Sequence, residues 1–335
     1  MGCARRDPLP NATTKDFRKM LKLILQRLGT GLLTLWLVTI LVFIGTQLLP
    51  GDVAQAVLGQ SATKEAVAAL RIEMGLDRPA IVRYFSWIAG LFDGDLGTSL
   101  ANGARISSLI AERLPNTLLL AGLTALLVVP AAIVLGLVSA MYPESIFDRA
   151  TSVTTMFLVA VPEFLLGTLL VLIFAVKLRW LPAISYVSEF RSVGQMMQAL
   201  ALPVLTLSLV LLAQMARMTR STILNILSSS YIEMAVLKGV RRHRIVFRHA
   251  LVNAMSPIAN VIALNLAYLV SGVVIVETIF AYPGLAKLIV DGVSSRDYPV
   301  IQTCAIIFCS AYILFILVAD IAAILSNPRL RRTGH

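Results

Sequence analysis

The chain has 335 residues, of which 58% are hydrophobic and only 14% are charged. Soluble domains are closer to half apolar and a quarter charged, so the composition excludes an ordinary soluble protein and predicts an integral membrane protein. A net charge of +11 would also suit nucleic-acid binding, but the basic residues are distributed between apolar runs, as membrane topology requires. The cysteines, Cys3, Cys304 and Cys309, form no CxxC pair and predict neither a disulfide framework nor a metal site.

The first quarter of the chain predicts a tail, a membrane span and a long loop. Residues 1–28 form a basic tail with seven Lys/Arg, which we expect in the cytosol. Residues 29–49 carry no charge and are long enough, at about 32 Å, to form the first transmembrane helix. Residues 50–115 are predicted to be an extracytoplasmic loop with short helices. Within it, Ala62–Met74 has the pattern of an amphipathic helix that Gly75 ends.

The remainder of the chain contains five further apolar runs, at residues 116–140, 150–176, 200–218, 256–280 and 300–325. We therefore predict an all-α polytopic membrane protein with six transmembrane helices. Five of these helices form a transmembrane core over residues 116–325, and residues 326–335 form a second tail.

The distribution of basic residues predicts the orientation. With the N-terminus in the cytosol, the inside segments hold 18 Lys/Arg and the outside segments hold 11. The first tail and residues 217–248 supply seven each, and six of the outside residues lie in the long loop, which influences topology little. Both termini are therefore predicted to be cytosolic.

The loop at residues 219–255 is the most informative stretch, because it combines positive charge with a helix signal. Ser230 and Glu233 have the spacing of a capping box, in which Ser230 is the N-cap. Tyr231–Lys238 then predicts about two helical turns, and Gly239 stands where a left-handed C-cap would end them. Two turns are marginal in water, so this helix needs a partner surface.

The predicted helix has a small apolar face formed by Ile232, Ala235 and Val236, at i, i+3, i+4 spacing. A short capped helix with an apolar face beside basic residues suggests docking into another protein. The alternative is an ordinary basic cytosolic loop that only obeys the positive-inside rule.

Signals of enzyme chemistry are missing from the sequence. It has no GxxxxGK[ST] motif, so we expect the chain neither to bind ATP through a P-loop nor to carry a cofactor of its own. Its three histidines, His243, His249 and His335, all lie in basic segments. We predict that the chain has neither a catalytic residue nor a metal site.

Glu163 follows Pro162 within the third apolar run, where an ionisable residue is costly unless it faces an interior or a water-filled path. One interpretation is contact with a transported substrate, for example its amino terminus. The other is a carboxyl group satisfied by neighbouring helices at a proline kink. Two further acidic residues, Glu277 and Asp320, lie near span ends and are expected to be interfacial or paired.

An ordered series of short motifs resembles binding-protein-dependent ABC importer permeases, specifically the subfamily that imports dipeptides, oligopeptides and nickel. The segment Tyr231-x-x-x-Ala235-x-x-Lys238-Gly239 and the later His249-Ala250-Leu251-x-Asn253-Ala254-x-x-Pro257 resemble the EAA loop of that family. Leu237 departs from the small residue that the subfamily often has before Lys-Gly. The other motifs, in chain order, are Leu49–Asp52, Gly75–Pro79, Gly94–Ser99, Glu112–Thr117, Trp180–Pro182, Val276–Leu285, Arg296–Val300 and Asn327–Arg329.

This resemblance implies a type I permease in the bacterial inner membrane. It implies as partners a second related permease, two ATPase subunits that bind ATP and magnesium, and an extracytoplasmic binding protein, with no role for nucleic acid. Peptides are the expected substrate, and nickel or another small solute is the alternative. The residues implied to couple the chain to the ATPase are Tyr231, Glu233, Ala235, Lys238, Gly239 and His249.

Two other classes remain as alternatives. An ion-coupled secondary carrier would transport alone and usually has several ionisable groups within the membrane, whereas only Glu163 fits that description here. A structural membrane scaffold would show no transport defect when residues 231–239 are altered.

Overall fold

The computed structural model describes residues 12–48, 53–58, 63–185 and 192–326. These ranges are predominantly helical, and the pairing of extended residues within them is the isolated bridge between Thr98 and Arg105. The all-α prediction is therefore confirmed.

The helices follow one another in this order: α1 (Ala12–Leu48), α2 (Val53–Leu58), α3 (Lys64–Glu73), α4 (Ala80–Phe92), α5 (Ile106–Met141), α6 (Ile146–Ala160), α7 (Glu163–Leu170), α8 (Val193–Leu227), α9 (Ser230–Leu237), α10 (Arg242–Arg244), α11 (Leu251–Ile279), α12 (Leu285–Ser295) and α13 (Tyr298–Ser326). Two π-helical segments, Val171–Lys177 and Ile245–Ala250, continue α7 and precede α11.

The described residues contain five helices long and apolar enough to cross a membrane, and a bent pair that brings the number to six. This agrees with the six predicted spans, but two boundaries differ. The first candidate span is Lys22–Leu48, so it begins seven residues before the predicted residue 29. The last ten residues of the expected loop at 50–115 belong to α5, which continues through Pro115.

The predicted third span is a pair of helices rather than one rod. The axes of α6 and of α7 with its π-helical continuation meet at 101°. Pro162 causes the break, since it has no N–H to donate and forces an extended backbone on Val161, with φ −84° and ψ 127°. The expected proline kink is therefore a sharp corner, and Glu163 is the first residue after it.

The helices α5, α8 and α11 form the centre of the bundle, and their buried residues share one apolar cluster. Gly136 of α5 allows a close approach to α8, because a Cβ at that position would lie 2.7 Å from the carbonyl oxygen of Ala216 on α8. Small residues let membrane helices pack at this distance. A larger side chain at position 136 would therefore push α5 and α8 apart.

Contacts between α1 and α13 define the two ends of the bundle. Arg27 pairs with Asp320 at 3.1 Å, whereas Gln302 donates a 2.8 Å hydrogen bond to Thr46, so these helices are antiparallel. The expected pairing of Asp320 is confirmed. We refer below to the α9 end, where α8 stops and α11 begins, and to the α12 end, where α11 stops and α13 begins.

At the α12 end, motifs far apart in the chain meet. Glu277 is fully buried and accepts a 2.6 Å hydrogen bond from the Thr117 hydroxyl and a 2.9 Å bond from the Lys287 N–H. It therefore caps the first turn of α12 from the last turn of α11. The Tyr282 hydroxyl donates to the Asn116 carbonyl at 2.8 Å, and burial together with the Glu277 carboxylate raises the pKa of this phenol. Glu277 is paired, as expected.

A second junction at the same end connects the loop after α4 to the turn before α13. The buried Asp297 carboxylate accepts the Ser99 hydroxyl and, at 3.1 Å, the Leu100 N–H. Two of the motifs quoted above, Gly94–Ser99 and Arg296–Val300, are therefore parts of one structure.

Candidate coupling and transport sites

The helix α9 begins one residue earlier than the sequence indicates. Its N-cap is Ser229, whose hydroxyl donates to the Ile226 carbonyl at 2.5 Å instead of accepting from α9. Ser230 is the first helical residue, and the Glu233 side chain is exposed and has no hydrogen-bond partner among the described residues. The predicted capping box is wrong, and the first turn is held by backbone bonds, with Glu233 close to the positive helix end.

The C-terminal end of α9 has the predicted geometry. Gly239 has φ +73°, the left-handed conformation that glycine adopts without steric cost. Its N–H donates to the Val236 carbonyl at 2.9 Å, and the next N–H, of Val240, donates to the Ala235 carbonyl at 3.2 Å. This pair of bonds is a Schellman motif, which stops the helix and reverses the chain.

The apolar residues of α9 are divided between two faces. Ile232, at 2% exposure, fixes the helix to its own chain, and Ala235 is half-buried. Val236 is exposed, so the three residues that the i, i+3, i+4 spacing places on one face differ in burial. The outward surface is formed instead by four large apolar side chains, Tyr231, Met234, Val236 and Leu237, which we call the α9 surface.

The segment after Gly239 connects α9 to the bundle core. Ile245 and Val246 are buried in the π-helical segment, and Val246 shares an apolar cluster with Leu137 of α5, Ile223 of α8 and Ala254 of α11. Since α9 contacts both α8 and this segment, the packing is continuous from α9 to α5, α8 and α11.

Basic residues follow the α9 surface in the chain. Lys238, Arg241 and Arg244 are exposed on the short return from α9 to α11. His249 lies in the π-helical segment, eleven residues from Lys238, and its side chain is outside the described set. The backbone therefore places five of the proposed coupling residues on α9 and its cap, and His249 on the following segment.

A charge pair near the α9 end was missed by the sequence analysis. The Arg220 guanidinium of α8 donates two hydrogen bonds to the buried Asp148 carboxylate of α6, at 2.5 and 2.7 Å. Asp148 also accepts from the Glu144 N–H at 2.9 Å. Bidentate pairs of this kind fix orientation as well as distance. The sequence feature that could have indicated this pair is an acidic residue close to the start of an apolar helix. Its partner, however, is 72 positions away in the chain.

The Glu163 side chain is half-buried at the corner between α6 and α7 and lies against Gly272 of α11. A Cβ on Gly272 would be 2.9 Å from Glu163 Oε1, so glycine is needed for this approach. Within the described residues, Glu163 has neither a hydrogen bond nor an ion pair. Gly272 precedes the end of α11 by seven residues, which places the carboxylate about 10 Å below the α12 end.

Two family models together match most of this chain. Residues 132–332 match the family model described as binding-protein-dependent transport system inner membrane component, and residues 20–121 match that described as its N-terminal component. A Sinorhizobium fredii protein named "Probable peptide ABC transporter permease protein" is 37% identical over 308 residues, covering 92% of this chain and 98% of its own length. The glutathione transport system permease protein GsiC of Salmonella choleraesuis is 36% identical over 312 residues, covering 93% and 99%.

Proposed function

Because this chain belongs to the family of binding-protein-dependent transport system inner membrane components, we propose that it carries peptides through the membrane when ATP is hydrolysed on separate subunits. The permease assignment and the multi-pass location in the bacterial inner membrane follow from the family and from the apolar helices.

The observation that carries the coupling proposal is the α9 surface. Four large apolar side chains on an eight-residue helix are exposed, between 47% and 76%, and exposed basic residues follow directly in the chain. Such a surface is costly in water and suits a partner with an apolar cleft and an acidic rim. We assign that partner as an ATPase subunit. The coupling residues are then Tyr231, Glu233, Ala235, Lys238, Gly239 and His249.

The remaining partners and the orientation complete the proposal. The α9 end faces the cytosol, where ATP is available, so both termini are cytosolic and the α12 end faces outward, as the Lys/Arg distribution favours. A second related permease completes the translocation path, two ATPase subunits dock at the α9 end, and an extracytoplasmic binding protein delivers the substrate to the α12 end. This chain itself binds neither cofactor nor metal.

Peptides are favoured as the substrate because the relatives are named for peptide and glutathione transport, and glutathione is itself a short peptide. Nickel requires ligands that hold a metal, and the described residues contain no group of three or more His, Cys, Asp or Glu side chains able to do so. Glu163 is the candidate contact in the path.

Uptake into proteoliposomes tests the function directly. The tagged chain is purified with its co-purifying subunits, reconstituted, and supplied with binding protein and a labelled peptide. We expect uptake only when ATP is present on the α9 side. Uptake driven by an ion gradient without ATP would support the secondary-carrier alternative, and a complex without any transport would support the scaffold.

Substitution of Glu163 tests the substrate contact. Glu163→Gln keeps the shape against Gly272 but removes the charge, and a charge-assisted bond to an ammonium group is worth about 1.5–3 kcal/mol. We expect uptake of peptides with a free amino terminus to fall about tenfold. Uptake of the N-acetylated peptides should be unchanged.

The informative quantity is the ratio of free to acetylated peptide uptake, since selectivity of the binding protein affects wild type and variant equally. Glu112→Gln, an exposed residue on α5, is the control and should leave this ratio unchanged. An equal loss for both kinds of peptide would mean that Glu163 only supports packing.

A further inference from the structure

The helix α4 has its polar and apolar faces reversed relative to a soluble helix. Its large apolar residues Ile81, Phe85 and Phe92 are 71%, 64% and 87% exposed. Together with the half-buried Ile88 they follow spacings of four, three and four residues, which is one helix face. The outward stripe of α4 is therefore apolar, and we call these four residues the α4 stripe.

The opposite face of α4 is polar and turned into the protein. The Arg83 guanidinium donates a 2.5 Å hydrogen bond to Gln47 of α1, and the Tyr84 hydroxyl shares one of 2.8 Å with Thr39. Arg83 and Trp87 also line a cavity of about 360 Å³ between α4, α1 and the start of α13. A helix in water would expose these polar groups and bury the stripe.

The contacts with α1 give the depth of α4. Its partners on α1 are Thr39, Phe43 and Gln47, and Phe43 packs against the rings of Tyr84 and Trp87 at centroid distances of 5.3 and 6.3 Å. Thr39 precedes the end of α1 at Leu48 by nine residues, or about 13 Å. A bilayer core is about 30 Å thick, so this contact zone lies within the half of the span next to the α12 end.

The helix α1 is itself exposed to lipid at this depth, on the side turned away from α4. Leu37, Leu41 and Ile44 are exposed there on a helix that spans the membrane, so lipid is their solvent. The α4 stripe lies at the same end of the bundle. At 13 residues α4 is too short to cross a bilayer, but its length and its apolar stripe suit a helix inserted in one leaflet.

We propose that α4 is a membrane-inserted helix, with the α4 stripe immersed in the lipid leaflet at the α12 end. The loop at residues 50–115 is then anchored in the membrane and not a free extracytoplasmic domain. The inserted helix also forms one wall of the cavity, so the bilayer helps to fix the position of Arg83 and Trp87.

Spin-label accessibility in proteoliposomes tests this placement. A nitroxide is attached at Phe85→Cys, in full-length chain with Cys3, Cys304 and Cys309 replaced by alanine. Leu41→Cys on α1 supplies the lipid reference and Glu65→Cys, exposed in the first turn of α3, the water reference. We expect the Phe85 label to collide frequently with oxygen, and severalfold less with a water-soluble nickel chelate than the Glu65 label does.

Two results would overturn the proposal. Nickel collisions as frequent as at Glu65 would place the α4 stripe in water. Low collision rates with both oxygen and nickel would show a protein surface covering the stripe. If Phe85→Cys does not fold, Phe92→Cys, at 87% exposure, provides the same measurement.

Discussion

Gly239→Asp is expected to abolish co-purification of the ATPase subunits while the chain itself remains folded in the membrane. Gly239 is exposed, and a Cβ there would meet no atom within 4 Å, so the new side chain fits sterically. The backbone at φ +73° is unfavourable for a non-glycine residue by about 1–2 kcal/mol, and aspartate tolerates it better than most. The main effect is a carboxylate placed at the edge of the α9 surface.

The expected loss is large because docking and coupling use the same few residues. In protein interfaces a small number of central residues supply most of the affinity, and an unpaired buried charge is strongly unfavourable. We expect at least a tenfold loss of bound ATPase, about 1.4 kcal/mol or more. ATP-driven uptake should fall at least in proportion. The readouts are the ATPase recovered with the tagged chain and the initial rate of peptide uptake.

Gly94→Asp is a matched control. Gly94 follows the C-cap of α4 as Gly239 follows that of α9, has φ +75°, and also has open space around its Cβ position. It lies between Asp93 and Asp95, so the substitution is electrostatically the harsher of the two. If both variants lose the ATPase equally, or if neither does, the docking proposal for α9 fails.

The two ends of α9 differ in how well the local sequence predicts them. The glycine cap was predictable, because only glycine adopts the left-handed turn freely and the Schellman bonds need no distant partner. The N-cap was not, since Ser228, Ser229 and Ser230 are three consecutive residues with the same capping preference. Choosing among them depends on where α8 stops, at Leu227.

The buried side of α9 depended on tertiary structure. Ile232, Ala235 and Val236 have helical spacing, but so do Tyr231, Met234 and Leu237. Periodicity alone therefore offers two apolar stripes, and the packing of Ile232 beside α8 decides between them. Leu237, which departs from the subfamily pattern, is 76% exposed and belongs to the α9 surface.

The corner at Pro162 could be predicted only in part from the sequence. Apolar runs longer than 18 residues predicted the existence of spans well, because the bilayer sets their length. A proline indicates a break but not its angle, since the 101° between α6 and α7 depends on where α8 and α11 leave space for α7. The motifs at the α12 end could likewise be recognised in the sequence. The sequence did not predict that Thr117 contacts Glu277, which lies 160 residues away.

That pairing predicts a severe effect for Gly284→Ala. Gly284 has φ −103°, which any residue can adopt, so the requirement for glycine is spatial. A Cβ there would lie 2.0 Å from Oε1 and 2.2 Å from Cδ of the buried Glu277 side chain. The carboxylate must move, and Thr117 and the Lys287 N–H then lose their acceptor. Each buried group left unpaired costs about 1–3 kcal/mol.

We expect Gly284→Ala to lower the thermal stability of the detergent-solubilised chain strongly and to reduce the amount of folded protein. Gly122→Ala on α5, five residues from Thr117 and with nothing within 4 Å of its Cβ position, is the control and should change little.

A double-mutant cycle identifies the cause of the Gly284→Ala effect. Glu277→Ala is itself destabilising because α12 loses its cap, but it removes the atoms with which the new methyl group collides. Gly284→Ala should therefore cost much less in the Glu277→Ala background than in the wild type, with a coupling of about 1–3 kcal/mol. Strictly additive losses of melting temperature would show that Gly284 and Glu277 act independently. The joint between α5, α11 and α12 would then depend on other contacts.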